Sequence, residues 1–249
     1  MNFEVRDLKK SYPIQKEKRP VLKGLCLKGR TDEITVILGR SGCGKTTLLR
    51  ILCGLETKDA GTLDFPDCSK IRMVFQEPRL MPWLDTEKNI TFGLKKQAID
   101  PKETKELIRL MGLTGFEKAK PGALSGGMKH RVALARALAA KPEMILLDEP
   151  FAALDYFTRE AMQRELRRIH IETGMGGIFV THNIEEAILL GDRICVMEDG
   201  RIAGEFTQSP AAAGRDLLSD AAIMLKKAIL QVLGGSPVRT EASCDLFGL

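Results

Sequence analysis

The chain has 249 residues, 44% hydrophobic and 29% charged, with a mean hydropathy of -0.09. This is the composition of one globular domain, and it excludes disorder over most of the length as well as collagen-like and fibrous classes. No stretch approaches the ~18 apolar residues of a spanning helix, and the charges between Met1 and Lys10 stand where a signal peptide needs its apolar segment, so a cytoplasmic location is expected. A net charge of +5 is mild for a nucleic-acid binder, and the basic stretch from Lys9 to Arg30 reads first as a solvated face. The six cysteines form no CxxC pair, so neither a zinc site nor a disulfide framework is expected.

Taken in chain order, Phe3 to Leu8 and Val21 to Leu27 read as short antiparallel strands. Glu33 to Leu38 is β-branched, bounded by charge and by Gly39, and reads as a buried strand; Thr46 to Cys53 has helical spacing. Further strands are expected at Ile71 to Phe75, Met144 to Leu147, Gly177 to Thr181 and Arg193 to Met197. Strands separated by helices require crossover connections and hence a mostly parallel sheet. Between Thr86 and Ala140 only helical patterns occur, broken at Asp100-Pro101 and Lys120-Pro121-Gly122, which predicts a helical insertion over about 86–140. Glu198-Asp199-Gly200-Arg201 is a hairpin signal, Arg215 to Leu233 an amphipathic helix, and 235–249 a flexible tail.

Gly39-Arg40-Ser41-Gly42-Cys43-Gly44-Lys45-Thr46 matches G-x-x-x-x-G-K-[ST], entered by a buried strand and left by a helix. Glycines let successive N–H groups turn inward around phosphate oxygens, and the helix N-terminus adds partial positive charge. Lys45 is placed to reach the β/γ-phosphates and the Thr46 hydroxyl to ligate Mg2+, with Thr47 completing the ATP-binding run. The other reading, a glycine-rich turn, needs a chance match of about 1% in a chain of ordinary Gly content. Met144 to Leu147 then delivers two acids, Asp148 and Glu149, to the edge of the sheet. An acidic pair after a strand is usually a surface turn. Beside a phosphate loop it reads as a metal-holding Asp148 and a Glu149 that orients or deprotonates an attacking water. The expected fold is α/β: a P-loop NTPase core with a mostly parallel sheet, an N-terminal antiparallel β part and an inserted α-helical subdomain, all within 1–234.

Leu124-Ser125-Gly126-Gly127 follows Lys45 by about 80 residues and precedes Asp148 by about 23. It resembles the signature motif of ABC transporter ATPases, and the other motifs of that family occur in order. Tyr12 corresponds to the aromatic that stacks on adenine, Gln76 of Val74-Phe75-Gln76-Glu77-Pro78 to the Q-loop, Ala153-Leu154-Asp155 to the D-loop, and His182 to the switch histidine. The resemblance spans roughly residues 2–230. It implies an ATPase that forms a head-to-tail homodimer around two ATP, each held by one subunit's phosphate loop and the other's Ser125 and Gly127. His182 would contact the γ-phosphate, Gln76 would touch Mg2+ and report to the helical insertion, and Asp155 would link the two sites. Met128 departs from the pattern, since the fifth signature position is commonly Gln; the anion-contacting Ser125, Gly126 and Gly127 are intact.

The segment Val74 to Leu84, followed by Asn89-Ile-Thr-Phe-Gly-Leu94, is similar to the nitrate/sulfonate/taurine importer branch. That resemblance implies an ATP-binding subunit peripheral on the inner face of the cell membrane. Its partners would be an integral membrane permease and, indirectly, a solute-binding protein, with no nucleic acid; Pro82, Trp83 and Leu84 become candidates for the permease groove. A soluble ABC-type ATPase acting on DNA or protein is the alternative. DNA-acting members carry long coiled coils or zinc modules between phosphate loop and signature, which the short gap here does not hold.

Overall fold

The computed structural model describes residues 1–14, 17–152, 154–208 and 215–234. The tail expected over 235–249 and Ala153 of the expected D-loop lie outside the described residues. Three strands carry the architecture: β3 (Ile34–Gly39), β6 (Met144–Asp148) and β7 (Gly177–Thr181), each buried at every position. A strand buried on both faces needs cover on both, and side chains alternate to supply it. Ile37, Met144, Leu146, Ile178 and Val180 face one cluster, which includes Phe3, Leu25, Leu48 and Leu49. Val36, Leu38, Ile145, Leu147 and Phe179 face the other, built from the helical side of the molecule.

Around these lie β5 (Ile71–Val74), β8 (Arg193–Glu198) and β9 (Arg201–Thr207), giving a six-stranded sheet of order β5-β6-β7-β3-β8-β9. Its pairs are parallel except β8–β9, the hairpin signalled at Asp199-Gly200. Helices α1 (Lys45–Leu52), α5 (Tyr156–Thr173), α6 (Ile184–Leu190) and α7 (Asp220–Leu233) pack on its faces.

A second, antiparallel sheet has the order β2-β1-β4, with β1 at Asn2–Ile14, β2 at Glu17–Arg30 and β4 at Ala60–Asp64. The expected strands were too short here. The long strands continue through Lys- and Arg-rich stretches because backbone pairing, not burial, sustains them; β2 is exposed over its first four residues. β4 had no sequence signal, being polar and half-exposed, and Gly61 lets it approach β1: a Cβ there would lie 2.5 Å from the Asp7 carbonyl oxygen.

The expected insertion holds α2 (Thr86–Ile90), α3 (Pro101–Leu110) and α4 (Gly126–Ala139), begun by the N-caps Asp85, Asp100 and Ser125. The expected final helix begins later than Arg215, at a Ser219 cap. Among the described residues no helix is long and apolar enough to cross a membrane. Among the described residues Cys43, Cys53, Cys68 and Cys195 are free thiols.

Candidate nucleotide site

The parallel strands end together at one edge of the sheet, and β3, β6 and β7 each deliver polar residues there. β3 runs into the phosphate loop. Its first glycine is fixed by β8, since a Cβ on Gly39 would sit 2.4 Å from the Met197 carbonyl oxygen. Gly44 adopts φ 110 at the N-cap of α1, a conformation open to glycine, and no side chain caps the helix. The first-turn N–H groups are therefore left facing outward for an anion.

Lys45 is nearly buried, and its Nζ donates to the carbonyls of Gly39 (2.8 Å) and Arg40 (3.0 Å). Arg40 Nη2 donates to the Leu233 carbonyl at the end of α7 (3.0 Å). Burial pushes the half-buried Cys43 thiol up, with Lys45 opposing, so it stays protonated and unreactive.

β6 places Asp148 against α1, where it accepts a hydrogen bond from Thr46 Oγ1 at 3.1 Å. Burial raises the Asp148 pKa and the Thr46 hydroxyl opposes the rise. Glu149 follows with φ 44, a left-handed backbone that a non-glycine residue holds at a cost of about 1 kcal/mol or more. That turn is held by its N–H on the Val180 carbonyl (3.0 Å). It aims the carboxylate between two partners: Oε1 lies 3.7 Å from Lys45 Nζ, and Oε2 lies 3.0 Å from His182 Nδ1. His182 follows β7, and the next residue, Asn183, caps α6 through Glu185 N–H (2.8 Å) and Glu186 N–H (3.3 Å). Lys45, Thr46, Asp148, Glu149 and His182 thus form one contiguous constellation.

The remaining expected residues stand apart from it. Ser125 Oγ accepts from Met128 N–H (3.2 Å) as the cap of α4, and Ser125 and Gly126 are exposed. Leu124 is buried, Met128 packs against the core, and Gly127 is closed in by α5: a Cβ there would lie 2.5 Å from Thr158 Cγ2. Asp155 caps α5 by accepting from Thr158 N–H (3.1 Å), and the Thr158 side chain and backbone hold its carboxyl below the usual range. Among the described residues no hydrogen bond or ion pair joins 124–128 to 39–47. Tyr12 is half-buried, its hydroxyl donating to Glu56 Oε2 (3.2 Å) with the Lys10 ammonium 5.2 Å from its ring. Gln76 is exposed just past β5, beside β6.

Two residues that sequence reasoning passed over organise the neighbourhood. Asn89 is fully buried; it accepts from Met81 N–H (2.8 Å) and donates to the carbonyls of Met81, Leu84 and Asp85, so the 81–85 turn holds Trp83 out at 67% exposure. Arg136 of α4 forks onto the carbonyls of Pro78 and Arg79. Asn89 lies in the stretch quoted for its branch resemblance; Arg136 sits in an unremarkable amphipathic helix.

Residues 22–152 match the family model described as ABC transporter. The chain is 39% identical over 243 residues to the aliphatic sulfonates import ATP-binding protein SsuB of Rhodopseudomonas palustris strain BisA53, covering 95% of this chain and 85% of the relative. It is 45% identical over 213 residues to the spermidine/putrescine import ATP-binding protein PotA of Spiroplasma citri, covering 80% and 60%. The ATP-binding cassette MJ0796, solved as a dimer in a post-hydrolysis state bound to ADP and Pi, superposes with a TM-score of 0.74 at 31% identity, covering 84% of this chain and all of that one. With the phosphate loop, the acidic strand end and the histidine meeting at one sheet edge, the chain belongs to the ABC transporter family and is an ATPase.

Proposed function

We propose that the chain is the ATP-hydrolysing subunit of an importer of the nitrate/sulfonate/taurine type, sulfonate-class solutes being favoured by the first relatives. The observation that carries the catalytic part is Glu149, held by a strained turn between Lys45 and His182. When nucleotide enters, Lys45 exchanges the Gly39 and Arg40 carbonyls for β/γ-phosphate oxygens, and the first-turn N–H groups of α1 surround the same phosphates. The Glu149 carboxylate is then freed to orient the attacking water and take its proton. His182 Nδ1 remains on Glu149, which leaves Nε2 for the γ-phosphate.

Mg2+ fits the donor set, because the Thr46 hydroxyl and Asp148 carboxylate are hard oxygen ligands side by side. Bound there with a contribution from Gln76, it would neutralise charge on the β- and γ-phosphates.

Ser125 and Gly126 are exposed, Gly127 is buried beside them in the first turn of α4, and among the described residues none of the three is bonded to its own phosphate loop. A second subunit presenting them across the nucleotide gives the head-to-tail dimer, with Asp155 between the sites and Tyr12 against the adenine. The dimer works on an integral membrane permease from the inner face of the membrane, and through it on a solute-binding protein; exposed Trp83 and Phe92 support the permease contact.

Tagged Glu149→Gln protein, pulled down from native membranes in mild detergent with ATP, tests this reading. It should retain ATP, dimerise and bring a stoichiometric integral membrane protein. A soluble or nucleic-acid partner with no membrane protein would sink the importer reading and favour a soluble ATPase.

A further inference from the structure

Lys10 departs from the solvated face expected of the basic stretch, being only 7% exposed. Its Nζ lies 2.8 Å from Glu56 Oε1 and 3.8 Å from Asp59 Oδ1. Each charge holds the other: Glu56 raises the Lys10 pKa, and Lys10 lowers that of Glu56. A cation this far out of water keeps its charge only where carboxylates match it. Here the match is built around the Tyr12 ring. The Lys10 ammonium stands over the ring, 5.2 Å from the centroid, and the Tyr12 hydroxyl donates to Glu56 Oε2 at 3.2 Å. One face and the polar tip of the ring are both engaged, which fixes its tilt and leaves the opposite face for a flat partner.

The two carboxylates belong to the segment that leaves α1, not to β1. The N–H groups of Leu55 and Glu56 both donate to the Arg50 carbonyl in the last turn of α1 (2.8 and 3.1 Å). Further on, Asp59 N–H donates to the Lys9 carbonyl (2.9 Å), and Asp59 Oδ2 accepts from Ser11 N–H (2.7 Å), on either side of Lys10. The same helix begins at Lys45 and Thr46. Its eight residues span about 12 Å. One short helix therefore has the phosphate cradle at its start and, at its end, the carboxylates that hold the Tyr12 ring.

We propose that Lys10 and Glu56 are positioning residues for the nucleoside half of the substrate: acting through Tyr12, they set a stacking face at a fixed reach from the phosphate cradle. The proposal rests on the reading of Tyr12 as the residue that lies against adenine. Among the described residues neither Lys10 nor Glu56 has a hydrogen bond or ion pair to 39–47. The pair should therefore govern how tightly the base is held and leave the chemical step alone. A ring already ordered loses no rotamer entropy when the base arrives.

The test is steady-state ATPase kinetics of Lys10→Met, Lys10→Arg, Glu56→Ala, Tyr12→Ala and the Lys10→Met/Tyr12→Ala double variant. Inorganic tripolyphosphate serves as a competitive inhibitor that fills the phosphate cradle and carries no base. Lys10→Met should raise KM for ATP about fivefold with kcat within about twofold. Its inhibition constant for tripolyphosphate should stay within about twofold of the wild type, since the cradle is untouched. Lys10→Arg keeps a cation over the ring and should recover most of the loss. On the Tyr12→Ala background Lys10→Met should have no further effect on KM, because both act through one ring. If Lys10→Met does not fold, Glu56→Ala, at a partly exposed position, should show the same KM rise and the same silence on the Tyr12→Ala background. Tripolyphosphate inhibition that weakens in step with KM would place the effect in α1 rather than in the ring. That result, an unchanged KM at Lys10→Met while Tyr12→Ala is impaired, or KM losses that multiply would each overturn the role of the pair alone. A normal KM in Tyr12→Ala removes Tyr12 from the adenine and this proposal with it.

Discussion

The two edges of the parallel sheet carry similar charges and use them in opposite ways. At the starting edge of β3 and β8, Asp192 is buried and fully matched. Its Oδ1 accepts from Arg167 (2.9 Å) and Arg215 (3.0 Å), and its Oδ2 accepts from Ile34 N–H (3.0 Å) with His170 Nε2 at 3.4 Å. Burial opposes its charge, but His170, the Ile34 N–H and Arg167 outweigh it and hold the carboxyl far below the usual range. At the finishing edge, Lys45 rests on main-chain carbonyls, Glu149 spans a long 3.7 Å contact from a strained turn, and the Asp148 pKa is raised. Charge that is satisfied within the chain ties α5, α6 and β3 together. Charge that is left partly satisfied is what the proposed reading assigns to phosphate and metal.

Cutting each edge separately sharpens the contrast. Asp192→Asn keeps the shape but removes the carboxylate charge that Arg167 and Arg215 share, and breaking a buried pair by one partner costs about 3–5 kcal/mol. Urea unfolding should show a loss of that size in the nucleotide-free protein, with ATP affinity of the folded fraction unchanged. Because the folded pKa of Asp192 is depressed, its contribution is present above the unfolded value of 3.8 and is lost as pH falls below it. A stability loss under about 1 kcal/mol would make the network an ornament of the surface.

Lys45→Ala makes the opposite cut. The lysine holds only two carbonyls of its own loop and a distant carboxylate, so the fold loses little. ATP binding loses its main phosphate cation and should weaken by about a hundredfold or more, roughly 2.8 kcal/mol. Equilibrium binding with a fluorescent ATP analogue, read beside the melting curve, checks both halves; unchanged affinity would contradict the cradle.

How far these edges were legible in the sequence follows the same division. The finishing edge announced itself, because phosphate chemistry demands particular residues at fixed spacing: glycines where the loop turns, Lys45 and Thr46 at the helix start, acids at the end of an apolar strand. The starting edge was silent. Asp192, Arg167, His170 and Arg215 meet only through tertiary packing of segments far apart in sequence, and each alone looks like surface charge. β4 was missed because pairing with β1, not an apolar pattern, makes it a strand. Arg136 was missed because an arginine on a helix has no signature until its partner carbonyls are placed.

Met128 tests a position between these extremes. The common Gln would offer an amide at the signature turn, whereas Met128 packs into the core and only its backbone N–H serves the Ser125 cap. Met128→Gln should therefore keep the cap and change turnover by less than about tenfold, within 1.4 kcal/mol of barrier. ATPase rates at saturating nucleotide decide it, and total loss of activity would mean the thioether is specifically required.

The smallest effect is expected at His130, on the same helix. It is 5% exposed, and its Nδ1 has no hydrogen-bond partner. Burial disfavours the imidazolium and lowers the pKa below the ordinary value of 6.5. As pH falls through about 6.5 the unfolded chain takes up a proton that the folded chain refuses, so stability declines towards the lower folded value and is level above neutrality. His130→Gln should flatten that decline between pH 7 and pH 5 in melting experiments while leaving the steeper loss below pH 4, which belongs to Asp192 and the other carboxylates. If the wild-type and variant curves stay parallel from pH 7 to 5, the ring is reaching a proton acceptor or solvent when α4 moves. The helix that carries the signature turn would then be opening in the nucleotide-free protein.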